Sequence, residues 1–172
     1  SDYQILEDSS DNILLDYSDV DSELSISIIS SNNNIIATLD NQLENIILDP
    51  LDDYYGSGYI TVTVNEIGDD ELSISQTFNV EVLPVNDPPI LSNIENQITN
   101  EDESLLVSLS ATDIDYVSYQ FEAVSSGNLI IDINNNLMEI SGIEDYYGEE
   151  SITVTVLDNE GAFDSQTFNI NI

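Results

Sequence analysis

Asp52-Asp53-Tyr54-Tyr55-Gly56, followed by Ile60-Thr61-Val62-Thr63-Val64, returns as Glu144-Asp145-Tyr146-Tyr147-Gly148 followed by Ile152-Thr153-Val154-Thr155-Val156, displaced by 144 − 52 = 92 positions. An apolar residue at every second position is the pattern of a half-buried β-strand, not of a helix. The acidic, tyrosine- and glycine-bearing run before it reads as a turn. Further matches lie on both sides. Gln4-Ile5 with Glu7-Asp8-Ser9 matches Gln97-Ile98 with Glu101-Asp102-Glu103, the acidic pair being displaced by 101 − 7 = 94. Asp19-Val20-Asp21 matches Asp113-Ile114-Asp115 at 113 − 19 = 94. Ser75-Gln76-Thr77-Phe78-Asn79-Val80 matches Ser165-Gln166-Thr167-Phe168-Asn169-Ile170 at 165 − 75 = 90. Matches that keep one order, with a small drift in displacement, are two copies of one unit carrying short loop insertions. The expected division is 1–84, a linker at 85–89, and 90–172.

Period-two runs, bounded by Asn, Asp, Gly and Ser, give seven short strands in each copy. In the first they fall near 3–6, 12–17, 23–30, 34–39, 43–48, 58–65 and 72–83. In the second they fall near 96–99, 104–110, 117–124, 128–133, 137–141, 150–157 and 163–172. That number and spacing predict two immunoglobulin-like β-sandwiches in tandem, an all-β fold. The tyrosine pairs precede the sixth strand, where a hydroxyl commonly ties a turn to its surroundings; a role in fold stability is favoured over an aromatic sugar platform. Asn32-Asn33-Asn34 and Asn134-Asn135-Asn136 are expected in loops.

Composition narrows the chemistry. Of 172 residues, 35 are Asp or Glu and none is Lys, Arg or His, a formal charge of −35. Nucleic acid and anionic membrane surfaces are excluded as partners, because both are bound through basic residues. Without His, Cys or Lys the chain also lacks the usual bases, thiol nucleophiles and soft-metal ligands. What remains is carboxylate, amide and hydroxyl oxygen, the donor set of hard cations and above all of calcium. A hydrophobic content of 41% separates the chain from a solvated acidic tail, which cannot bury enough apolar surface to fold. No run of about 18 apolar residues is present, so membrane insertion is not expected. A small domain without disulfides needs another staple, and metal supplies one.

Topology then says where acids meet. Connections in a sandwich fall alternately at its two ends. In the first copy, the turns holding Glu7 and Asp53 both belong at the C-terminal end. In the second, Asp113-Ile114-Asp115 and the Asp158-Asn159-Glu160-Gly161 loop both belong at the N-terminal end. Val85-Asn86-Asp87-Pro88-Pro89 runs between those ends. Glu7, Asp53, Asp87, Asp113, Asp115 and Asp158, with Asn86, are therefore candidate metal ligands. Two unit charges about 4 Å apart repel by about 1 kcal/mol in water and by more where solvent is excluded. Calcium, taking six to eight oxygens, relieves that repulsion; magnesium fits less well, since it keeps its waters. Asp69, Asp70, Glu71, Glu149 and Glu150 are read as solvated surface.

These blocks together resemble the tandem cadherin-like repeats of bacterial surface and secreted adhesins. The linker 85–89, Glu101-Asp102, Asp113-Ile114-Asp115, Asp145-Tyr146-Tyr147-Gly148 and Ser165-Gln166-Thr167-Phe168 carry the likeness over nearly the whole chain. The resemblance implies calcium at the junction, and by position it implicates Glu7, Asp53, Asn86, Asp87, Asp113 and Asp115. It also implies half-sites for flanking repeats: Asp19, Asp21 and Glu66 on the upstream side, Glu101, Asp145 and Asp102 on the downstream side. Asn65-Glu66-Ile67-Gly68 departs from its counterpart Asp158-Asn159-Glu160-Gly161. The expected role is structural and extracellular. Calcium between repeats stiffens a rod or filament whose partners are neighbouring identical or similar repeats, in tandem or head to tail. The alternative is a calcium-dependent glycan-binding or cell-cell adhesion module, with a surface or glycan ligand. Enzymatic activity is not expected, because a small sandwich offers little cleft.

Overall fold

Alternation of apolar and polar residues produces strands throughout, and no helix occurs among the described residues. The computed structural model describes residues 2–18, 23–40, 45–67, 72–115 and 118–172. Two compact units divide the chain at residues 1–85 and 86–172.

The first unit holds β1 (Tyr3–Leu6), β2 (Asp11–Leu14), β3 (Glu23–Ser30), β4 (Ile35–Asp40), β5 (Asn45–Pro50), β6 (Gly56–Ile67) and β7 (Ser73–Leu83). One sheet runs β1-β7-β6-β3 and the other β2-β5-β4. β1 lies parallel to β7 while β6 pairs antiparallel with β7 and β3, so β1 and β7 finish at the same end of the unit. The alternation in β6 turns Ile60 and Val62 inward onto Ile35, Ile46, Leu48 and Val80. The intervening threonines face outward, and the hydroxyls of Thr61 and Thr77 meet at 2.9 Å across the ladder. Such cross-strand pairs add to sheet stability on the solvated face.

The second unit holds β8 (Ile90–Leu91), β9 (Gln97–Ile98), β10 (Ser104–Ser108), β11 (Ala111–Thr112), β12 (Gln120–Ser125), β13 (Leu129–Asn134), β14 (Leu137–Gly142), β15 (Glu149–Leu157) and β16 (Phe163–Asn171). Its sheets are β12-β15-β16-β9 and β10-β14-β13, with β11 and β8 paired alongside. Met138, Ile140, Ile152, Val154, Val156 and Ile170 are wholly buried between the layers. Thr153 and Thr167 repeat the outward hydroxyl pair at 2.7 Å. Both units are thus β-sandwiches, as the strand pattern predicts.

The differences lie at strand ends and in two short elements. The second strand ends at Leu14 rather than near 17, and the fifth runs on to Pro50 rather than ending near 48. β8 and β11 are not predicted at all. Each is two residues long, too short for a period-two signal, and each exists only because Ala111 and Thr112 pair with Leu91 and Ile90.

Candidate metal centre

In the first unit the amide of Glu7 donates to the Leu83 carbonyl at 3.0 Å, carrying the β1–β7 ladder one residue past β1. The chain then turns through Asp8, whose φ of 56° is left-handed, a region that Asp tolerates better than most residues. Ser9 closes that turn by donating its hydroxyl to Leu6 at 2.6 Å. The turn drives the Glu7 side chain inward, where only 2% of the residue is exposed. Its Oε1 accepts the Val85 amide at 2.7 Å. Its Oε2 is buried and has no hydrogen-bond partner among the described residues. A buried carboxylate oxygen left in this way is costly unless something cationic reaches it, and the chain has no basic side chain to do so.

The β5–β6 connection comes to the same place. Asp53 has a φ of 57°, and Tyr54 donates its amide to Leu51 at 3.2 Å. The Asp53 amide donates to Asp8 Oδ1 at 3.0 Å, and carboxylate oxygens of the two residues lie within 4.8 Å. The turn that carries Glu7 and Asp8 and the turn that carries Asp53 thus meet through the Asp53 amide and the Asp8 carboxylate. Asp8 was not among the predicted ligands. Its signal was the doubling of the acidic pair, Glu7-Asp8 with Glu101-Asp102, whose second member is a candidate in the second copy but not in the first.

In the second unit hydrogen bonds tie the remaining predicted ligands into two groups that meet at the Asn86–Asp87 peptide. The Asn86 amide nitrogen donates to Asp158 Oδ2 at 2.6 Å. The Asp87 backbone amide donates to Asp115 Oδ2 at 2.8 Å, and the Asp115 amide donates to Asp113 Oδ1 at 2.9 Å. Asp158 is 8% exposed, and its Oδ1 accepts the amides of Glu160, Gly161 and Ala162 at 2.8, 2.6 and 2.9 Å. The Asn86 side chain, then these amides, hold the Asp158 carboxyl below its ordinary range against the opposing pull of burial. With its nitrogen fixed on Asp158, Asn86 turns its Oδ1 the other way. That oxygen is buried and has no hydrogen-bond partner among the described residues.

The residues expected in outer half-sites are less assembled. Glu101, Asp102 and Asp145 are exposed, yet Asp102 and Asp145 repeat the left-handed backbone of Asp8 and Asp53 with φ of 61° and 58°. Glu66 is half-buried on β6, its amide donating to Leu72 at 2.9 Å. Asp19, Asp21, Asp69, Asp70 and Glu71 lie outside the described residues. Glu150 corrects the reading of it as solvated surface. It is buried, and accepts from Tyr146 at 2.8 Å, from the Asn128 side chain at 2.6 Å and from the Ser126 hydroxyl. The tyrosines do pin the turns: Tyr146 through Glu150, and Tyr54 by accepting the Asn32 amide at 2.5 Å.

Comparison with known proteins places this geometry. The chain superposes on protocadherin gamma C5 EC1-3 with a TM-score of 0.55 at 16% identity, covering 99% of this chain and 65% of that one. Mouse cadherin-23 EC22-24 gives a TM-score of 0.54 at 16% identity, with 99% and 62% covered. The human desmocollin-1 ectodomain gives 0.52 at 13% identity, with 99% and 38% covered. The chain thus spans between 38% and 65% of those three chains, and the likeness is one of fold. No curated protein matches it in sequence. The bacterial Ig domain profile matches residues 86–171, half of the chain. Together with the internal repeat, that match makes this chain a member of the bacterial Ig domain family, built as cadherin-like β-sandwich repeats.

Proposed function

We propose that the chain is an extracellular structural or adhesion element that binds calcium where its two units join. Glu7, Asp8 and Asp53 supply oxygens from the first unit. Asn86, Asp87, Asp113 and Asp115 supply them from the second. Asp158 acts mainly as a positioning residue, since both its oxygens already accept hydrogen bonds and it holds the Asn86 amide with Oδ1 outward. A carboxylate that orients a ligating side chain is a common feature of metal sites. Covalent continuity supports the assignment as well: Val85, tied to Glu7, directly precedes Asn86, tied to Asp158.

The observation that carries the reading is that two buried oxygens, Glu7 Oε2 and Asn86 Oδ1, lack hydrogen-bond partners among the described residues, in a chain without a single basic side chain. Hard oxygen donors without an internal cation suit calcium, which accepts carboxylate, amide and carbonyl oxygens at about 2.3 to 2.6 Å. Extracellular sites of this kind have dissociation constants near 10⁻⁴ to 10⁻³ M. Ion present at about a hundred times that constant stabilises the bound form by about 2.7 kcal/mol per site. Rigidity follows, because ligands drawn from two units fix the linker between them, and a series of such repeats stands out as a rod.

Calorimetric titration of the chain with calcium, with magnesium as control, tests the proposal. Saturable calcium binding near millimolar or tighter, with a rise in melting temperature that magnesium does not match, is expected. No heat and an unchanged melting curve would refute it.

A further inference from the structure

β3 (Glu23–Ser30) closes the sheet β1-β7-β6-β3, and among the described residues it is paired on one side only, to β6. One step beyond that ladder Ser31 donates its amide to the Tyr59 carbonyl at 2.9 Å, and amide direction alternates along an antiparallel pair. Ser25, Ser27 and Ile29 therefore bond to β6, whereas Leu24, Ile26, Ile28 and Ser30 turn their amides and carbonyls to the open side. Chain leading into β1 or out of β7 meets the sheet on the far side of β6, so the open edge owes nothing to where the unit is entered or left.

Open edges invite pairing with another chain, and proteins blunt them with charges, proline, bulges or brevity. The other described edges follow that rule. β4, β12 and β13, each six residues long, carry Asp40, Glu122 and Asp132, and the remaining edge strands have five residues or fewer. β3 has eight, and from Leu24 to Ser30 it reads Leu-Ser-Ile-Ser-Ile-Ile-Ser, with no charge, no proline and unbroken register against β6. The second unit supplies the contrast at one position. Thr63 pairs with Ser27, and its counterpart Thr155, at 155 − 63 = 92, pairs with Glu122, so a carboxylate stands where the first unit has Ser27. The solvated face beside β3 is uncharged as well: the rows Ser27–Thr63–Ser75 and Ile29–Thr61–Thr77 contain no acid, and Ile29 is 65% exposed. Copies of a chain carrying −35 repel wherever acids face acids, so this edge is a place where two of them can meet.

We propose that β3 is a docking edge for a second copy of this chain, the two β3 strands pairing antiparallel about a two-fold axis at Ser27 so that the two sheets become one. The uncharged run 24–30 is centred on Ser27, and this register lays the whole run against itself. Ile26 of each copy then faces Ile28 of the other, Leu24 faces Ser30, and Glu23 faces Ser31 rather than another acid. A two-fold contact is self-complementary by construction, and main-chain pairing supplies its affinity. Half-buried Leu24, Ile26 and Ile28 lose their remaining solvent contact at the joined edge. A single strand pair is a small interface, so the association is weak and reversible, and it ties neighbouring molecules side by side. This inference does not rest on calcium, so it is tested in chelator.

The test is sedimentation equilibrium of the chain in chelator, joined to NMR-detected hydrogen exchange. Expected is a reversible monomer–dimer equilibrium that tightens when sodium chloride is raised to about 0.5 M, because screening removes the background repulsion between copies. Ser27→Glu copies the charge that the second unit carries and sets two carboxylates opposite each other, so it should weaken the dimer at least about tenfold. Ser27 is exposed, and the melting temperature of the dilute variant should stay unchanged. In the unsubstituted chain, the amides of Ile26 and Ile28 should exchange more slowly as protein concentration rises, while those of Ser25 and Ser27, already bonded to β6, should not. The proposal is overturned if the chain stays monomeric to about 1 mM in high salt, above the range expected for a small interface. It is overturned equally if Ser27→Glu associates as well as the parent, or if a dimer forms without added protection at Ile26 and Ile28, which would assign the contact to another surface. Association that appears only with calcium would also overturn it, and would leave the metal reading standing.

Discussion

Glu7 and Glu150 are both buried carboxylates in a chain with no basic side chain, and they are accommodated differently. The Ser126 hydroxyl, then Asn128 and Tyr146, donate to Glu150 and hold its pKa at about 2, against an ordinary 4.5. A carboxyl whose folded value is depressed contributes stability above its unfolded value and loses it as pH falls through the folded one. The second unit should therefore lose stability between about pH 4.5 and 2 through this group, and Glu150→Gln should flatten that limb in pH-dependent melting. Among the described residues, Glu7 accepts from Val85 through one oxygen and has no donor to the other. Glu7→Gln should weaken calcium binding by at least about tenfold in calorimetry. In chelator it should leave the melting temperature unchanged or raised, because a buried charge has gone. Sequence singles out Glu7, Asp53, Asp113 and Asp115 because each stands in a repeated motif, and Asn86 and Asp87 because they stand in the linker; their role as ligands is the proposal. It did not reveal Asp8, whose role depends on a left-handed turn bringing it to the Asp53 amide. It also misread Glu150, because no local pattern announces that Ser126 and Asn128 lie across the sheet from it.

At the scale of elements, the period of two placed the long strands because one face of each had to be buried. Threonine hydroxyl pairs on the opposite face confirm which residues look outward. The short strands β8 and β11 escaped, since they are specified by their pairing with each other and not by any local run. The turn before the long central strand rests on glycine. Gly148 has a φ of 151°, and a Cβ there would meet the Tyr146 hydroxyl at 2.8 Å. Gly56 repeats the arrangement, with a φ of 148° against Tyr54. Gly148→Ala should destabilise the second unit by about 1 to 2 kcal/mol in denaturant unfolding, the usual penalty for a Cβ at positive φ. An unchanged midpoint would show that the tyrosine does not pin this turn.

For the whole molecule, a charge of −35 with nothing cationic to offset it sets the energetics. Self-repulsion of that size loosens a compact state, and bound divalent ions relieve it where the acids gather. The stability of the chain should therefore rise with calcium far more than with an equal ionic strength of sodium chloride, as read by melting. Screening alone would give equal rises. The proposed stiffening of the linker requires an ion held by residues from both units. Anomalous diffraction from crystals grown in millimolar calcium tests it most directly. The account predicts a calcium peak at about 2.3 to 2.6 Å from both Glu7 Oε2 and Asn86 Oδ1. A map with no peak there, and those two oxygens bonded to water alone, would contradict it.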